Sequence, residues 1–437
     1  MKKISFFWNK LTATFWFVPV LLLVLSIGLS VVLVILDNEV SIPQEGWVRF
    51  FLVNSADSAR TILSTISGAM IGVAGTVFSV VLVALTLASS QFGPRLIKNF
   101  MYVRLNQVVL GSYISTYLYC LLVMNAIKGN DDYSFIPSIS ILFAILAAIA
   151  NIILLIVFIH KIAVSIQADR VISDISEMLS KRIKTLFPEK MGKELKAEND
   201  FDPTFAMSAY HKRISIISPE SGYIQYIDSK FLLDLIAKHK ALFQLHHRSG
   251  SFLVRGVEIG VLHTNTDWDD ETLDRITDQF VFGKTKTSEQ DLEYSIHQMV
   301  EIAARALSPG VNDPYTAMTC IDHLASTMCY LAEAQFPSSY RFDDDGNIRV
   351  IADVIDFEGV LDAAFNQIRQ FSEGSTAVII RLVEALGIIL KFTKQEPNKK
   401  AVIKHVEMVL RLGKASITEK NDLHDLTSRV EKILMAY

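Results

Sequence analysis

The chain has 437 residues, a formal net charge of −4 at pH 7 and an apolar fraction of 51%, and its mean hydropathy is +0.33. This length allows two or three domains, and this hydropathy is high for a soluble protein. Basic residues form no strong cluster, which argues against a nucleic-acid partner. The three cysteines form neither a CxxC pair nor a disulfide framework, as is typical of a reducing compartment.

Four apolar stretches without a charged side chain fill the first third of the chain. They are Thr14–Leu36, Ile62–Ala88, Gln107–Ile127 and Ile136–His160. Each is long enough to cross a bilayer as a helix, which takes about 20 residues. The first stretch is too long for the apolar part of a signal peptide, and no small-x-small cleavage pattern follows it. We therefore predict a four-helix transmembrane domain over residues 1–165.

Basic residues mark alternate sides of the predicted membrane domain. Lysine and arginine are enriched before the first stretch, between the second and third, and after the fourth, whereas the other connections lean acidic. Because positively charged loops stay in the cytoplasm, this distribution predicts cytoplasmic N- and C-termini. Residues from about 165 onward then form a cytoplasmic domain of a multi-pass protein.

The second stretch carries small residues at a helical spacing. Its glycines include a GxxxG pattern, which lets helix backbones approach closely. The set is Ser64, Gly68, Gly72, Gly75, Thr76 and Ser79. Helix packing, within the monomer or in an oligomer, is the favoured interpretation, and a pore-lining face is the alternative.

Polar groups follow this second stretch and recur inside the later ones. The residues at its end are Ser89, Ser90, Gln91 and Arg95. They form either the cytoplasmic mouth of a pore or the end of a helix that leaves the membrane at Gly93-Pro94. Tyr113, Thr116 and Asn151 either line a cavity or hydrogen-bond between helices, and the second interpretation is favoured. The absence of Asp, Glu, Lys and Arg from all four stretches disfavours an ion-coupled carrier, but a passive pore needs none.

The remainder of the chain predicts a C-terminal cytoplasmic α+β domain. We assign residues 166–205 to a helical linker, 206–265 to a small β-rich subdomain and 266–437 to a mainly helical subdomain. Strands are predicted at Arg213–Ile217 and Tyr223–Asp228 around a turn, and residues 343–347 predict a hairpin turn. A capping box at residues 287–290 predicts a helix to about Leu307, and Gly413 is expected to end a later helix. The fold class is thus a multi-span α-helical membrane protein with a C-terminal α+β domain, in which a helical bundle follows the β section.

The segment Ser308–Pro314 joins two of the predicted helices. Asp313 suits the N-cap of the second helix, and Pro314 suits its first position. A helix N-terminus with cations nearby also suits an anion such as a phosphate group. The candidate ligand-binding residues are Lys284, Lys286, Gln290, Asp291, Arg305, Asn312, Asp313 and Thr316. Because helix caps are commoner than binding sites, a purely structural role is favoured.

The same region carries a family resemblance. Gln290-Asp291 and the block EIAARALSPGVNDPYTA at residues 301–317 resemble the signature of a bacterial family of predicted membrane proteins, domain-of-unknown-function family 2254. The resemblance covers nearly the whole chain, although Lys286-Thr287 stands where the family pattern has Arg-Thr. It implies a protein of the bacterial inner (plasma) membrane, and it supplies no activity, ligand or catalytic residue.

Two functional hypotheses follow. The chain has no HExxH, GxSxG, Walker or GxGxxG motif, so we predict no catalytic residue and no metal ligand, and the cofactor stays open. The first hypothesis is a homo-oligomeric channel or pore for ions or small solutes, gated by the cytoplasmic domain. The second is a membrane-anchored sensor or scaffold that binds a small anionic ligand or a partner protein near Asn312. A membrane-bound enzyme is a distant third.

Overall fold

A computed structural model describes residues 11–12, 14–39, 55–93, 104–130, 133–165, 167–186, 203–287, 290–334 and 336–436. The chain divides into two compact units, which are residues 1–170 and 171–437. We call them the membrane unit and the C-terminal unit.

Among its described residues, the membrane unit contains four helices that are long and apolar enough to cross a bilayer. They are α1 (Phe17–Glu39), α2 (Ala56–Phe92), α3 (Arg104–Ala126) and α4 (Ser138–Ser165). The four predicted membrane helices are thereby confirmed. A short antiparallel pair, β1 (Lys128–Asn130) and β2 (Tyr133–Phe135), connects α3 to α4.

Helix α2 is longer than the apolar stretch that predicted it. It has 37 residues, and its N-cap Ser55 accepts a hydrogen bond from the Ser58 backbone N–H at 3.4 Å. It ends at Gly93, whose φ of 107° is a backbone conformation that glycine adopts readily. At 1.5 Å per residue the helix is about 55 Å long, so it exceeds a hydrocarbon core of about 30 Å.

Helix α3 packs against the other three membrane helices. Its contact with α1 depends on Gly111, because a Cβ there would lie 2.8 Å from the Pro19 Cα. Toward α4, Tyr113 donates a hydrogen bond to the Asn151 carbonyl at 2.7 Å, and the Asn151 amide donates to the Thr116 hydroxyl at 2.9 Å. These bonds confirm the expectation that polar residues of α3 and α4 join the two helices.

A short break separates α4 from the helix that follows it. Helix α4 ends at Ser165 and α5 (Ala168–Leu186) begins three residues later. Between them the Gln167 backbone N–H donates to the Val164 carbonyl at 3.3 Å. The short α6 (Pro203–Ser208) precedes the sheets of the C-terminal unit.

Two sheets form the β section of the C-terminal unit. Their strands are β3 (Lys212–Ile217), β4 (Gly222–Ile227), β5 (Leu242–Leu245), β6 (Phe252–Leu253), β7 (Glu258–Thr264), β8 (Phe280–Gly283), β9 (Tyr340–Phe342) and β10 (Ile348–Ile351). The orders are β3-β7-β5-β10-β9 and β6-β4-β8. The neighbouring strands β3 and β4 are both present, but they belong to different sheets and do not pair with each other. Instead β3 runs antiparallel to β7, and β4 lies between β6 and β8.

Strands from both sides of residue 265 share these sheets. β10 pairs in parallel with β5, and β9 and β10 form an antiparallel pair that flanks the predicted turn at residues 343–347. Helices α7 (Ser229–Lys238) and α8 (Asp270–Thr277) lie between strands in the sequence. The apolar core of this section includes Leu232, Ile236, Phe243, Leu262 and Val350, all of them fully buried.

The helical part follows. It contains α9 (Leu292–Ala306), α10 (Pro314–Glu333), α11 (Phe357–Phe371), α12 (Thr376–Phe392), α13 (Glu396–Ser416) and α14 (Lys420–Met435). Gly413 was expected to end α13, but the helix continues to Ser416. A Cβ at Gly413 would overlap the Leu426 side chain. The glycine therefore serves the close packing of α13 and α14 rather than helix termination.

Candidate functional site

Helix α2 has two faces of different character. Its buried residues are Ala59, Leu63, Ser67, Met70, Ala74, Val77, Val81, Ala84, Ala88 and Phe92. The predicted small residues from Ser64 to Ser79 are all exposed. Because each helical residue advances by about 100°, these small residues lie roughly half a turn from the centre of the buried face. They do not pack against any described helix of the same chain.

The glycines on this exposed face leave open space around the helix backbone. A Cβ added at Gly68, Gly72 or Gly75 would meet no described atom within 4 Å. Gly111 of α3 is the opposite case, since its Cβ would collide with Pro19. Close helix packing in the monomer therefore involves Gly111. The GxxxG pattern of α2 takes no part in the packing of the described helices of one chain.

Hydroxyl residues extend this surface beyond the residues that were predicted. Thr61, Thr65 and Thr86 are exposed on the same face of α2, and each hydroxyl donates to a carbonyl one turn earlier at 2.7 to 2.9 Å. We call this surface the α2 ridge. It comprises Thr61, Ser64, Thr65, Gly68, Gly72, Gly75, Thr76, Ser79 and Thr86. The continuing spacing of three and four residues could have revealed the three threonines from the sequence.

The hydroxyls of the ridge donate hydrogen bonds to backbone carbonyls of their own helix. Thr76 and Ser79 donate to the carbonyls of Gly72 and Gly75 at 3.3 and 3.0 Å. Such bonds satisfy the hydroxyl donors without a second helix. Each hydroxyl oxygen retains acceptor capacity, so the ridge still offers polar groups to a partner or to water.

The predicted cytoplasmic mouth lies only partly within the described residues. Ser90 and Gln91 are exposed in the last turn of α2, and Ser89 is half-buried. The Ser90 hydroxyl donates to the Leu87 carbonyl at 2.9 Å. Arg95 lies outside the described residues.

The predicted ligand-binding residues fall into two groups at opposite ends of α9. Lys284, Lys286, Gln290 and Asp291 precede the helix, whereas Arg305, Asn312, Asp313 and Thr316 lie in its last turn or beyond it. A helix of 15 residues is about 22 Å long. The structure therefore does not bring these eight residues into one pocket.

The second group has the geometry of a helix cap. The two Asp313 carboxylate oxygens accept hydrogen bonds from the Thr316 backbone N–H at 3.1 Å and from its hydroxyl at 2.6 Å. Pro314 occupies the first turn of α10, as the sequence predicted. Asn312 is exposed and has a φ of 49°, a left-handed conformation that asparagine tolerates better than most residues. Arg305 is half-buried in the last turn of α9.

The first group fixes the start of α9 to the small sheet. The Gln290 amide oxygen accepts from the Ile227 backbone N–H at 2.9 Å, and its nitrogen donates to the Ile227 carbonyl at 3.0 Å. The predicted capping box at residues 287–290 is wrong. Asp291 is the N-cap, and its carboxylate accepts from the Tyr294 backbone N–H at 3.0 Å. The capping box failed because Gln290 bonds to a strand that is distant in the sequence.

Asp291 is a buried carboxylate with one incompletely bonded oxygen. It is 4% exposed, and burial raises its pKa, against the lowering effects of the Tyr294 hydrogen bond and the Lys286 charge. The Lys286 amine lies 3.8 Å from Oδ2. Gly250, with a φ of 92°, packs directly on this carboxylate, where any Cβ would overlap it. Lys284 is exposed.

A cavity of about 280 Å³ opens beside Lys286 and the loop around Gly250. Its lining includes Arg248, which pairs with Glu293 at 2.8 Å and with Asp353 at 3.3 Å. Burial alone would lower the pKa of Arg248, but the hydrogen bond and charge of Glu293 outweigh it and raise the pKa. Both cations of the cavity therefore already face carboxylates. Sequence reasoning missed Arg248, Glu293 and Asp353 because only the sheet topology brings them together.

These features define an integral membrane protein with four spanning helices and a C-terminal α+β unit. A family model described as a predicted membrane protein, domain-of-unknown-function family 2254, matches residues 12–387, so the chain belongs to this family. It is 27% identical over 373 residues to the uncharacterized protein Mb1321c of Mycobacterium bovis. The uncharacterized protein Rv1290c of Mycobacterium tuberculosis is equally similar. Both alignments cover 83% of this chain and 70% of the relative. No solved structure matches the chain.

Proposed function

We propose that the protein is a homo-oligomeric channel or pore for ions or small solutes, and that α2 of several copies lines or frames the pathway. The observation that carries this proposal is the α2 ridge, which is exposed on the side of the helix opposite its packed face. Without a hydrophobic driving force, membrane helices associate through small residues that let backbones approach. The ridge offers such a surface, and the monomer leaves it open.

The length of the ridge favours a pathway over a local contact. From Thr61 to Thr86 the ridge extends about 38 Å along the helix axis, at 1.5 Å per residue. A hydrocarbon core is about 30 Å thick, so hydroxyls and glycine backbone follow the helix through the whole core. The ridge contains no ionisable side chain. That composition suits passive conduction, whereas coupled transport usually relies on a buried ionisable group.

The remaining parts of the proposal concern location. We place the protein in the bacterial inner membrane with both termini in the cytoplasm, because lysine and arginine are enriched in the corresponding connections. Ser90 and Gln91 at the end of α2 then lie at the cytoplasmic mouth, and the C-terminal unit gates the pathway from that side.

Single-channel recording of the full-length protein in planar bilayers tests conduction. Gly72→Leu fills the ridge, and Gly28→Leu is the matched control. Gly28 lies on α1, is exposed and has no described atom within 4 Å of an added Cβ. We expect discrete conductance in the wild type and in Gly28→Leu, and its loss in Gly72→Leu. Unchanged conductance in Gly72→Leu, or a silent but folded and inserted wild type, contradicts the proposal.

Disulfide cross-linking tests the oligomer separately. A Thr76→Cys variant without the native cysteines is oxidised in membranes and compared with Phe78→Cys in the same background. Phe78 is 44% exposed, and it lies about 160° around the helix from Thr76 by the same 100° rule. Cross-linked dimers from the Thr76 position alone are the expected result. Equal cross-linking at both positions would show random collision.

The alternative, a sensor or scaffold that binds an anion near Asn312, has weaker support. Asp313 is committed to the cap of α10, and Arg248 and Lys286 at the other end of α9 face carboxylates. The cavity of about 280 Å³ beside Lys286 lies at the other end of α9 from Asn312, and a sensor that binds an anion there is a separate candidate. A thermal shift of the full-length protein with inorganic phosphate that is lost in Arg248→Met would support it.

A further inference from the structure

A second cavity, of about 900 Å³, lies between α12, α14 and the start of α13. We call it the α12–α14 groove, and its defining residues are Arg381, Glu384, Gly387, Lys391, Arg429 and Lys432. The volume is in the range of small-molecule sites, which hold about 300 to 1,000 Å³. The family match ends at residue 387, so one wall of the groove is built by a helix beyond that match.

Residue numbers rise in the same direction along both walls of the groove. Arg429 of α14 pairs with Glu384 of α12. One turn further along, a Cβ at Gly387 would lie 2.8 Å from the Ile433 Cδ1. The groove therefore has one end beside Glu384 and the other beside Lys391, and Lys432 lies between Arg429 and Ile433 along the facing helix.

At the first end the cations are already bonded to carboxylates. Arg381 binds both Asp322 oxygens at 2.6 and 2.7 Å and Glu384 at 2.9 Å. The hydrogen bond with Asp322, followed by that with Glu384, raises the pKa of Arg381. Arg429 pairs with Glu384 and, at 2.9 Å, with Asp425. This end offers few free donors to a ligand.

The middle of the groove is apolar. Ile433 covers Gly387 and forms an apolar floor together with Ile388, which is 45% exposed. Covering an exposed apolar side chain with an apolar ligand is favourable, because it removes apolar surface from water.

Two further lysines, Lys391 near the second end and Lys432 beside Ile433, line the cavity. Neither Lys391 nor Lys432 forms an ion pair within the described part of the chain. Along the whole groove the lining carries five cationic side chains and only two acidic ones. Asp322 and Glu396, outside the lining, pair with Arg381 and Lys399, so the positive excess comes from Lys391 and Lys432 next to the apolar floor.

We propose that the α12–α14 groove binds a single-chain fatty acid, with the acyl chain over Ile388 and Ile433 and the carboxylate held by Lys391 and Lys432. Charge complementarity selects an anion at the two lysines, because a carboxylate bonds to two ammonium groups there. The apolar floor selects an amphiphile over a small inorganic anion. A second copy of this chain would present the same positive groove, and like charges disfavour that contact. The inference does not depend on conduction through α2.

Photo-cross-linking with a diazirine-bearing dodecanoate tests the site in full-length protein reconstituted in zwitterionic nanodiscs. The cross-linked peptides are mapped by mass spectrometry. We expect the label on α12 or α14 near the groove, and its loss in the Lys391→Ala/Lys432→Ala variant. Lys394→Ala/Lys414→Ala removes the same charge outside the groove and should label like the wild type. Ile388→Ser, which leaves the lysines in place, should label less.

The length of the fatty acid provides a quantitative test in the same experiment. The affinity of unlabelled competitor fatty acids should rise roughly fourfold per added methylene until the apolar floor is covered. Inorganic phosphate should not compete. Equal labelling by a diazirine-bearing dodecanol, or full labelling of the lysine double variant, would overturn the proposal. Absent labelling together with Ile388→Cys cross-linking between copies would also overturn it, because the groove would then be a subunit interface.

Discussion

The membrane unit and the C-terminal unit hold their polar side chains by different chemistry. Between α3 and α4 the bonded groups are neutral, and Asn151 is their centre. In the C-terminal unit alternating charges form a chain from Asp322 through Arg381, Glu384 and Arg429 to Asp425, and all five are at least one-third exposed. Removing a charge from water is expensive in an apolar interior, whereas a partly exposed pair keeps some hydration. Each unit therefore uses the bonds that its surroundings allow.

The α2 ridge differs from the network around Asn151 in its hydrogen bonds. The hydroxyls of Ser112 and Thr116 bond across a helix contact to Asn151, whereas those of the ridge bond to their own helix. The ridge is therefore the polar surface of the described membrane helices that no neighbouring helix of the same chain uses. A partner or a pathway for water would complete this surface.

The largest effect is expected from a substitution at the tight glycine of the membrane unit. Gly111→Leu forces the side chain into Pro19 and Leu22. Such overpacking typically lowers the free energy of unfolding by up to about 3 kcal/mol. Gly72→Leu should leave the stability of the monomer unchanged, since its Cβ meets no described atom within 4 Å. Unfolding of the two variants in mixed detergent micelles measures the difference. Equal destabilisation by both would show that the ridge is packed in the isolated protein.

The neutral network between α3 and α4 gives the next effect. Asn151→Leu leaves the hydroxyls of Ser112 and Thr116 without their partner. Interhelical hydrogen bonds in membranes are worth about 1 to 2 kcal/mol in model peptides, and the same loss of stability is expected here. The exposed Ile152→Leu, one position along α4, is the control in the same micelle titration. A loss smaller than that of the control would show that helix packing alone holds α3 and α4 together.

The sequence predicted the membrane unit well because its signals are local. Apolar length defines a membrane helix without reference to other elements, so the four stretches were recognised with only their ends in error. The GxxxG of α2 was a weaker signal, because its pattern does not say which side faces the monomer. The glycine that packs within the monomer is Gly111. Its role depends on the contact between α1 and α3, which the pattern of α2 does not show.

The C-terminal unit was harder to predict for a related reason. Cap residues such as Asp313 act within three positions and were recognised from the sequence. Gln290 instead bonds to Ile227, a residue more than sixty positions away, so the local capping pattern misplaced the start of α9. The pairing of β10 with β5 is likewise remote. The cavity beside Lys286 and the α12–α14 groove were not predicted because each depends on such long-range contacts.

The cap of α10 tests whether the Asn312 region is structural. Asp313→Ala removes two hydrogen bonds to Thr316, and loss of an N-cap typically costs about 1 kcal/mol. Asp313→Asn keeps an acceptor at the same place and should restore most of the stability. Thermal unfolding of the full-length protein, followed by the reactivity of the buried Cys320, measures both variants. If Asp313→Asn is as unstable as Asp313→Ala, the charge rather than the cap is what matters.

The smallest effect concerns a buried histidine between α11 and α13. His405 is 1% exposed, and its Nε2 lies 2.9 Å from the Asp362 carboxylate. Burial lowers its pKa below the ordinary 6.5, and Arg369 and Lys404 add to this, against the raising effect of Asp362. The unfolded chain therefore takes up a proton as the pH falls through 6.5, before the folded chain does. Stability should fall with decreasing pH below that point and should not depend on His405 above it.

The comparison of wild type with His405→Gln isolates this contribution, because His263, whose pKa burial also lowers, is present in both proteins. Glutamine keeps a donor for Asp362 but does not titrate. Thermal unfolding of both proteins between pH 7.5 and about 5, a window set by the ordinary histidine pKa, should show a steeper loss for the wild type. Parallel curves would mean that His405 accepts a proton in the folded state as readily as in the unfolded one. A charged pair of His405 and Asp362 would then lie in the interior of the C-terminal unit. The membrane unit, by contrast, joins α3 and α4 through neutral groups.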